Sequence, residues 1–332
     1  MQYTRLGHTG LTVSRLCLGT MTFGLQTDES ESRAILDTAV DAGVTFIDTA
    51  DVYPIGRSVA NHLEGRTEEI IGRWMKRRRN QFVLATKAVG AMGPMAWDRG
   101  ASRKHLLDAI DGSLRRLDTD HVDLYQLHSD DLDTPIDETL EALDMIVKSG
   151  RARYIGVSNF MAYRIARALG RSETRNLSKF VSIQPRYSLL FREIERELLP
   201  MAHEEKMGVL SYNPLAGGLL TGKHKFEAGP TEGTRFTLGT AAGRYQNRYW
   251  HKSEFETIEA LRALVTPTGM SLTTAAVAWV LANPIVTSAI IGASHTGQLS
   301  DTLAAATVKI DPQVKKEMDA LTQHYRYGDS LR

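Results

Sequence analysis

Apolar residues along this chain recur at two spacings, one typical of β-strands and the other of α-helices. The strand spacing predicts eight strands, at residues 15–20, 45–50, 82–89, 122–128, 152–159, 180–188, 208–215 and 287–294. Helical spacing appears between them, at residues 31–43, 102–118, 136–150, 194–206 and 271–283. Ser102 stands where a helix N-cap is expected, and Gly43 and Gly150 stand where helices end.

Strands that alternate with helices predict βαβ units and a parallel sheet, and eight such units close into a (β/α)8 TIM barrel. Residues 1–13 predict an additional N-terminal hairpin, and residues 216–252 predict a long functional loop after strand seven. The whole chain, residues 1–332, is expected to form one domain. A doubly wound sheet is the alternative, but the first βα turn, GTMTFGLQ, lacks the glycine-rich dinucleotide fingerprint.

Composition and charge narrow the class of partner. The formal net charge is +1, from 40 basic and 39 acidic residues, which gives no field that would gather nucleic acid or an anionic membrane. A single cysteine, Cys17, excludes an internal disulfide, and no apolar window is long enough to span a membrane. These features predict a soluble cytoplasmic protein that acts on a small molecule; they do not indicate an oligomeric state.

Polar residues occupy the C-terminal ends of the predicted strands, where barrels of this kind carry their active sites. Asp48, Lys87 and His128 end strands two, three and four, and Tyr53 follows Asp48 closely in the stretch FIDTADVY. Singly, each has a structural explanation, such as a turn cap or a satisfied core histidine. The other strand ends carry Gly19-Thr20, Ser158-Asn159, Gln184, Tyr212-Asn213 and Gly292 to Ser294.

Together, these residues suggest an acid that protonates an alkoxide. A phenol is a poor proton donor at neutral pH unless a neighbouring cation stabilises its anion, and Lys87 is that cation. Asp48 would orient the ammonium, and His128 would donate a hydrogen bond to the substrate oxygen. A metal site is not expected, because no second histidine lies at ligand spacing from His128 and Asp51 is expected to point elsewhere. A serine hydrolase is not expected either, because the sequence contains no GxSxG motif.

The chain resembles the aldo-keto reductase superfamily over essentially its full length. The motifs that carry the resemblance are GLTVSRLCLGTMTFG, FIDTADVY, VLATK, DLYQLH, YIGVSNF, QPRYSLL, SYNPLAGGLLTGK and IIGAS, in this order. The resemblance implies a nicotinamide-dependent reductase of aldehydes or ketones, sugar-derived ones among them. It also implies that Asp48, Tyr53, Lys87 and His128 form a catalytic tetrad, with Tyr53 as the acid.

The resemblance further implies an extended cofactor across the barrel mouth. Ser158, Asn159 and Gln184 would bind its carboxamide, and Tyr212 would stack on its nicotinamide ring. A loop would cover its pyrophosphate. The implied cofactor-binding set is Gly19, Thr20, Met21, Gln26, Asp48, Ser158, Asn159, Gln184, Tyr212, Asn213, Pro214, Leu215, Gly217, Leu219, Lys223, Arg235, Gly292, Ala293, Ser294, Gln298, Asp301 and Thr302.

The cofactor is expected to be NADPH, with NADH as the alternative. Many relatives carry arginine or lysine near the position of Ser294 or His295, where this chain has neither. His295 is expected to face the 2′-phosphate and to add positive charge mainly below neutral pH.

Two other functions stay open at this point. One is a cofactor-binding regulatory subunit, because the family includes potassium-channel β subunits; the absence of an extension before the hairpin argues against it. The other is a Schiff-base aldolase that uses Lys87 as its nucleophile.

Overall fold

The chain begins with a two-stranded antiparallel hairpin, as the sequence predicts. The computed structural model describes residues 1–56 and 63–327. In it β1 (Tyr3–Arg5) pairs with β2 (Thr12–Ser14), and Tyr3 lies opposite Ser14. Leu6 and Val13 of the hairpin are fully buried in the same cluster as side chains from the barrel interior. The hairpin therefore closes one end of the barrel.

Eight parallel strands form a closed barrel, which confirms the predicted fold class. The barrel strands are β3 (Leu16–Gly19), β4 (Phe46–Asp48), β5 (Val83–Ala88), β6 (Val122–Leu127), β7 (Ala152–Ser158), β8 (Phe180–Gln184), β9 (Gly208–Ser211) and β10 (Val286–Ile291). Closure comes from β10, which pairs with β9 on one side and with β3 on the other.

Several strands are shorter than the sequence predicts, because the backbone leaves the ladder at the barrel mouth. Strand β8 ends at Gln184, directly before Pro185, which has no N–H to donate to a neighbouring strand. Strand β9 ends at Ser211, two residues before Asn213, whose φ of 58° lies in the left-handed region. Asp48, Lys87 and Gln184 thus lie within the strands, whereas His128 and Tyr212 lie on the turns that follow them.

Helices surround the barrel and pack their apolar faces against it. Their bounds are α1 (Glu29–Asp41), α2 (Arg66–Met75), α3 (Arg103–Leu117), α4 (Ile136–Lys148), α5 (Ala162–Arg175), α6 (Leu198–Glu204), α7 (Ala242–Tyr249), α8 (Lys252–Val265), α9 (Leu272–Leu281), α10 (Leu299–Ala304) and α11 (Pro312–Leu321). Ser102 caps α3 by accepting from the backbone N–H of His105, as predicted.

The segment predicted as a loop, residues 216–252, contains a helix. Helix α7 occupies its second half, and short 3₁₀ turns precede it. Its apolar contacts come from Tyr245 and Tyr249, four residues apart and both buried, rather than from aliphatic residues. That spacing was the signal for a helix, and a search for aliphatic periodicity does not detect it.

The interior of the barrel explains which strand residues reach its mouth. Cys17, Phe46, Ala85 and Leu124 pack together inside the barrel, whereas their neighbours along each strand face the helices. Because side chains alternate along a strand, the residues two positions later also point inward, one layer nearer the mouth. These inward residues are Asp48 on β4, Lys87 on β5 and Gln126 on β6.

Candidate active site

A cavity of about 640 Å³ opens at the C-terminal ends of the barrel strands. Its wall includes Asp48, Tyr53 and His128 of the predicted tetrad, and Lys87 lies directly behind it, fully buried. Strand register brings these residues together, because Asp48 of β4 pairs with Ala85 of β5, two residues before Lys87, and the His128 N–H donates to the Ala88 carbonyl at 2.9 Å. The four residues predicted from separate strand ends thus meet at one corner of the cavity.

The ammonium of Lys87 uses all three of its donors. It lies 2.6 Å from Asp48 Oδ2, 2.7 Å from the Thr49 carbonyl and 3.5 Å from the Tyr53 hydroxyl. Burial alone would lower the pKa of Lys87, but the Asp48 carboxylate and Tyr53 outweigh burial, and the net pKa is raised. Lys87 is therefore a fixed positive charge next to the phenol.

The second oxygen of Asp48 is held by two amides. Gln184 donates to Asp48 Oδ1 at 2.7 Å, and Gln126 donates to the same oxygen at 3.2 Å. Gln126 is fully buried and was absent from the predicted site. Its position two residues after the inward-facing Leu124 was the signal, because it shares the face of the strand that leads to the mouth.

The pKa of the Tyr53 hydroxyl is higher than its ordinary value. Burial raises its pKa to about 12, and the Asp48 charge adds to this, while Lys87 acts in the opposite direction. The sequence indicated only the stabilising charge of Lys87, but Tyr53 is 6% exposed and burial has the larger effect on its pKa. Tyr53 keeps its proton at neutral pH, as a proton donor must.

His128 faces the cavity beside Tyr53, with the ring centroids 5.6 Å apart and the rings nearly perpendicular. Burial lowers the pKa of His128 to about 3, and the charges of Lys87 and Arg244 act in the same direction. The imidazole is therefore neutral across the physiological range and carries one N–H donor.

The second aspartate of FIDTADVY lies outside this cavity wall. Asp51 is fully buried, and its backbone N–H donates to the Lys87 carbonyl at 3.0 Å. Burial and the nearby Glu68 charge raise the pKa of the Asp51 carboxyl well above its usual range. Asp51 thus supports the turn that carries Tyr53, rather than the reacting centre.

Nearly all residues of the predicted cofactor set line the cavity. Asn159 donates to the His128 carbonyl at 2.9 Å and accepts a hydrogen bond from Tyr212 at 2.8 Å. At the opposite end, the Ser294 N–H donates to the Gln298 side chain at 2.9 Å. Two residues that were predicted to contact the cofactor are not among the lining residues. Leu219 is buried, and His295 is exposed.

Several lining residues were not predicted. Arg244, Tyr245 and Arg248 come from α7, the helix missed within residues 216–252. His224 is 6% exposed, and neither of its ring nitrogens has a hydrogen-bond partner among the described residues. Burial lowers the pKa of His224 to about 4, so the ring is neutral at physiological pH.

Comparison with known proteins decides which class of barrel this is. The model of the aldo/keto reductase family matches residues 15–323. The chain belongs to the aldo/keto reductase family. It is 40% identical over 96% of its length to an uncharacterized oxidoreductase, YrpG, of Bacillus subtilis, covering 95% of that protein. It is 33% identical to the aldo-keto reductase YhdN of the same organism, with 98% and 94% of the two chains covered.

A third relative carries a different name. The chain is 37% identical to a probable voltage-gated potassium channel subunit beta of Oryza sativa subsp. japonica, over 97% of each protein. Among the described residues, no single helix is long and apolar enough to cross a membrane. The family relationship makes the chain an NAD(P)H-dependent oxidoreductase of the carbonyl-reducing class.

Proposed function

We propose that the chain reduces aldehydes and ketones to alcohols with NADPH, and that Tyr53 donates the proton. The observation that carries this proposal is the contact of the Tyr53 hydroxyl with Lys87 Nζ at 3.5 Å, at the wall of the cavity that His128 also lines. Sugar-derived carbonyl compounds are among the candidate substrates.

The cavity suits a long polar ligand such as a nicotinamide dinucleotide. Asn213 Nδ2 and both ring nitrogens of His224 are buried at its wall and have no partner among the described residues. Buried polar groups are normally hydrogen-bonded, so these atoms favour a polar ligand over an apolar one. Lys223 and Arg235 line the same cavity and supply positive charge for phosphate groups.

The protein's part in the reaction is to meet the charge that develops on the carbonyl oxygen. When bound, the nicotinamide supplies a hydride to the carbonyl carbon. His128, being neutral, donates its one N–H to the oxygen, and Tyr53 gives the oxygen its proton. An alkoxide is a much stronger base than a phenolate, so this transfer is downhill even from a phenol of raised pKa. The Lys87 ammonium then stabilises the phenolate until solvent returns the proton.

The contacts of the cofactor are proposed from its size and from the chemistry of the wall. Ser158, Asn159 and Gln184 would hold the carboxamide, and Tyr212 would stack on the nicotinamide ring. The pyrophosphate would lie under the loop from Asn213 to Lys223. The adenosine would meet Gly292, Ala293, Ser294, Gln298, Asp301 and Thr302.

The preference for NADPH over NADH rests on Arg235 and on neutral donors. Arg235 Nη2 lies 3.6 Å from the position that a Cβ on Gly292 would occupy, and Ser294 and Gln298 add polar groups at that end. A carboxylate works against the preference, because Glu31 accepts from the Thr296 N–H at 2.6 Å. We therefore propose NADPH as the better cofactor and NADH as a usable one.

An assay with purified protein tests the proposal. A panel of aldehydes and ketoses is offered with NADPH and with NADH, and oxidation is followed at the dihydronicotinamide absorbance band. We expect NADPH oxidation that depends on a carbonyl compound and that continues in the presence of EDTA. If no member of the panel is reduced with either nucleotide, the proposed function is wrong.

The same purified protein can be tested for Schiff-base aldolase chemistry. A Schiff-base nucleophile must be a neutral amine, whereas Lys87 is paired with Asp48 and its pKa is raised. Borohydride added with an aldehyde should therefore leave Lys87 unmodified in the mass spectrum. A reduced adduct on Lys87 would support the aldolase instead.

A further inference from the structure

Helix α7 brings two arginines to the cavity that the predicted site did not include. Arg244 and Arg248 are four residues apart, and both line the wall. The helix is anchored by its tyrosines, since Tyr245 and Tyr249 are buried and the Tyr245 hydroxyl accepts a hydrogen bond from Arg235 at 3.2 Å. The arginines are thus presented by a fixed element of the structure.

Arg244 acts on the catalytic side of the cavity. Burial and the charge of Lys87 are the larger causes of the lowered pKa of His128, and the charge of Arg244 acts in the same direction. Burial raises the pKa of Tyr212, while the charges of Arg248 and Arg244 act in the opposite direction. Arg235, by contrast, contacts Met21 and Tyr245 and lies near Gly292, on the side proposed for the adenosine. Arg235 is therefore held by its contacts with Met21 and Tyr245, whereas the charge of Arg244 acts on His128.

The cavity wall carries more positive than negative charge. Within residues 1–56 and 63–327, the acidic residues of the wall are Asp48, which is paired with Lys87, and Asp301, which lies at the far end. Among the described residues, Arg244 forms no ion pair. The whole chain is nearly neutral at +1, so the excess of cations is a local feature of the cavity.

We propose that Arg244, with Arg248 beside it, binds an anionic group of the substrate, a carboxylate or a phosphate, while the carbonyl meets Tyr53 and His128. This inference rests on the proposed carbonyl reduction and adds the substrate class. A guanidinium binds either oxyanion with two parallel hydrogen bonds, so the site recognises the shared chemistry of the two groups. A neutral carbonyl compound would leave this contact unused.

Matched substrates test the proposal. The first pair is 4-oxobutanoate and its methyl ester, and the second is glyceraldehyde 3-phosphate and glyceraldehyde. We expect kcat/KM for the anionic member of at least one pair to exceed that of the neutral member by about 10-fold or more, as the loss of a hydrogen bond to a charged group predicts. The pair with the larger ratio distinguishes a carboxylate substrate from a phosphate substrate.

Substitutions in α7 test whether its arginines cause the difference in kcat/KM between the anionic and the neutral substrate. Arg244→Gln should lower the anionic-to-neutral ratio of kcat/KM by about 10-fold, and Arg244→Gln/Arg248→Gln should lower it further. Arg244→Lys should restore part of it, because charge returns without the paired geometry. Lys252→Gln removes one charge from the exposed start of α8, outside the cavity, and serves as the matched control that keeps the wild-type ratio.

Two further measurements separate this inference from the proposed function. Salt from about 0.05 to 0.5 M should lower kcat/KM for the anionic member more than for the neutral one. The dissociation constant of NADPH should change less than about threefold in Arg244→Gln. Equal ratios in wild type and variant, or a loss shared with NADPH binding, overturn the inference while carbonyl reduction stands. If the carbonyl panel is reduced but neither member of either pair is, the inference is wrong while carbonyl reduction stands. If the panel is not reduced either, both proposals are wrong.

Discussion

At the scale of single residues, the site depends on a lysine whose three donors are all occupied. Asp48 and the Thr49 carbonyl hold Lys87 Nζ at 2.6 and 2.7 Å, and the third donor faces Tyr53. The sequence indicated Asp48, Lys87, His128 and Tyr53, because strand ends in a barrel converge. Gln126 was not predicted, although it lies two residues after the inward-facing Leu124, because its role depends on a hydrogen bond to Asp48 that crosses strand β5.

The pKa values of the site predict how activity depends on pH. Tyr53 loses its proton only near pH 12, and His128 gains a second proton only near pH 3. We therefore expect kcat for reduction of a neutral aldehyde to vary less than about threefold between about pH 5.5 and 8.5, and to fall as pH rises toward the pKa of Tyr53. Stopped-flow rates across this range provide the check. A midpoint near pH 6.5 would mean that His128 titrates as an ordinary imidazole.

At the scale of elements, the strands were easier to predict than their ends. Alternating apolar residues locate each barrel strand, but β8 and β9 stop where Pro185 and Asn213 turn the backbone toward the mouth. Helix α7 was not predicted, because its buried residues are two tyrosines within a polar sequence. Its arginines could not be assigned to the cavity until the helix itself was located.

The packing of α2 against α3 gives a prediction about stability. A Cβ on Gly72 of α2 would come within 2.5 Å of the Arg116 carbonyl oxygen and 2.8 Å of the Leu117 carbonyl carbon, both in the α3 backbone. Gly72→Ala should therefore lower the free energy of unfolding by about 1 to 3 kcal/mol, despite the better helix propensity of alanine.

Gly170 on α5 is the matched control for this change. No heavy atom outside its own helix backbone and chain neighbours lies within 4 Å of the Cβ position, and the residue is exposed. Gly170→Ala should stabilise the protein by up to about 1 kcal/mol, through helix propensity alone. Thermal and urea unfolding of both variants provide the measurement. A Gly72→Ala variant as stable as Gly170→Ala would show that α2 and α3 are not held at this distance.

At the scale of the whole molecule, the barrel is what makes distant residues neighbours. Lys87, Tyr53 and Gln184 come from three different parts of the chain, and β10 closes the ring that brings them together. The number and order of the strands could be predicted, because eight alternating units leave few topologies. The excess of positive charge around the cavity could not, since it depends on which side of α7 faces the mouth.

The central claim is that Tyr53 supplies the proton, and Tyr53→Phe tests it most directly. The substitution removes only the hydroxyl, so NADPH should bind with nearly unchanged affinity by fluorescence quenching. Single-turnover oxidation of bound NADPH by an aldehyde should slow by about 10²- to 10⁴-fold, the usual contribution of a positioned acid. Tyr163→Phe, an exposed phenol on α5, should keep the wild-type rate. A Tyr53→Phe rate within about tenfold of wild type would contradict the account.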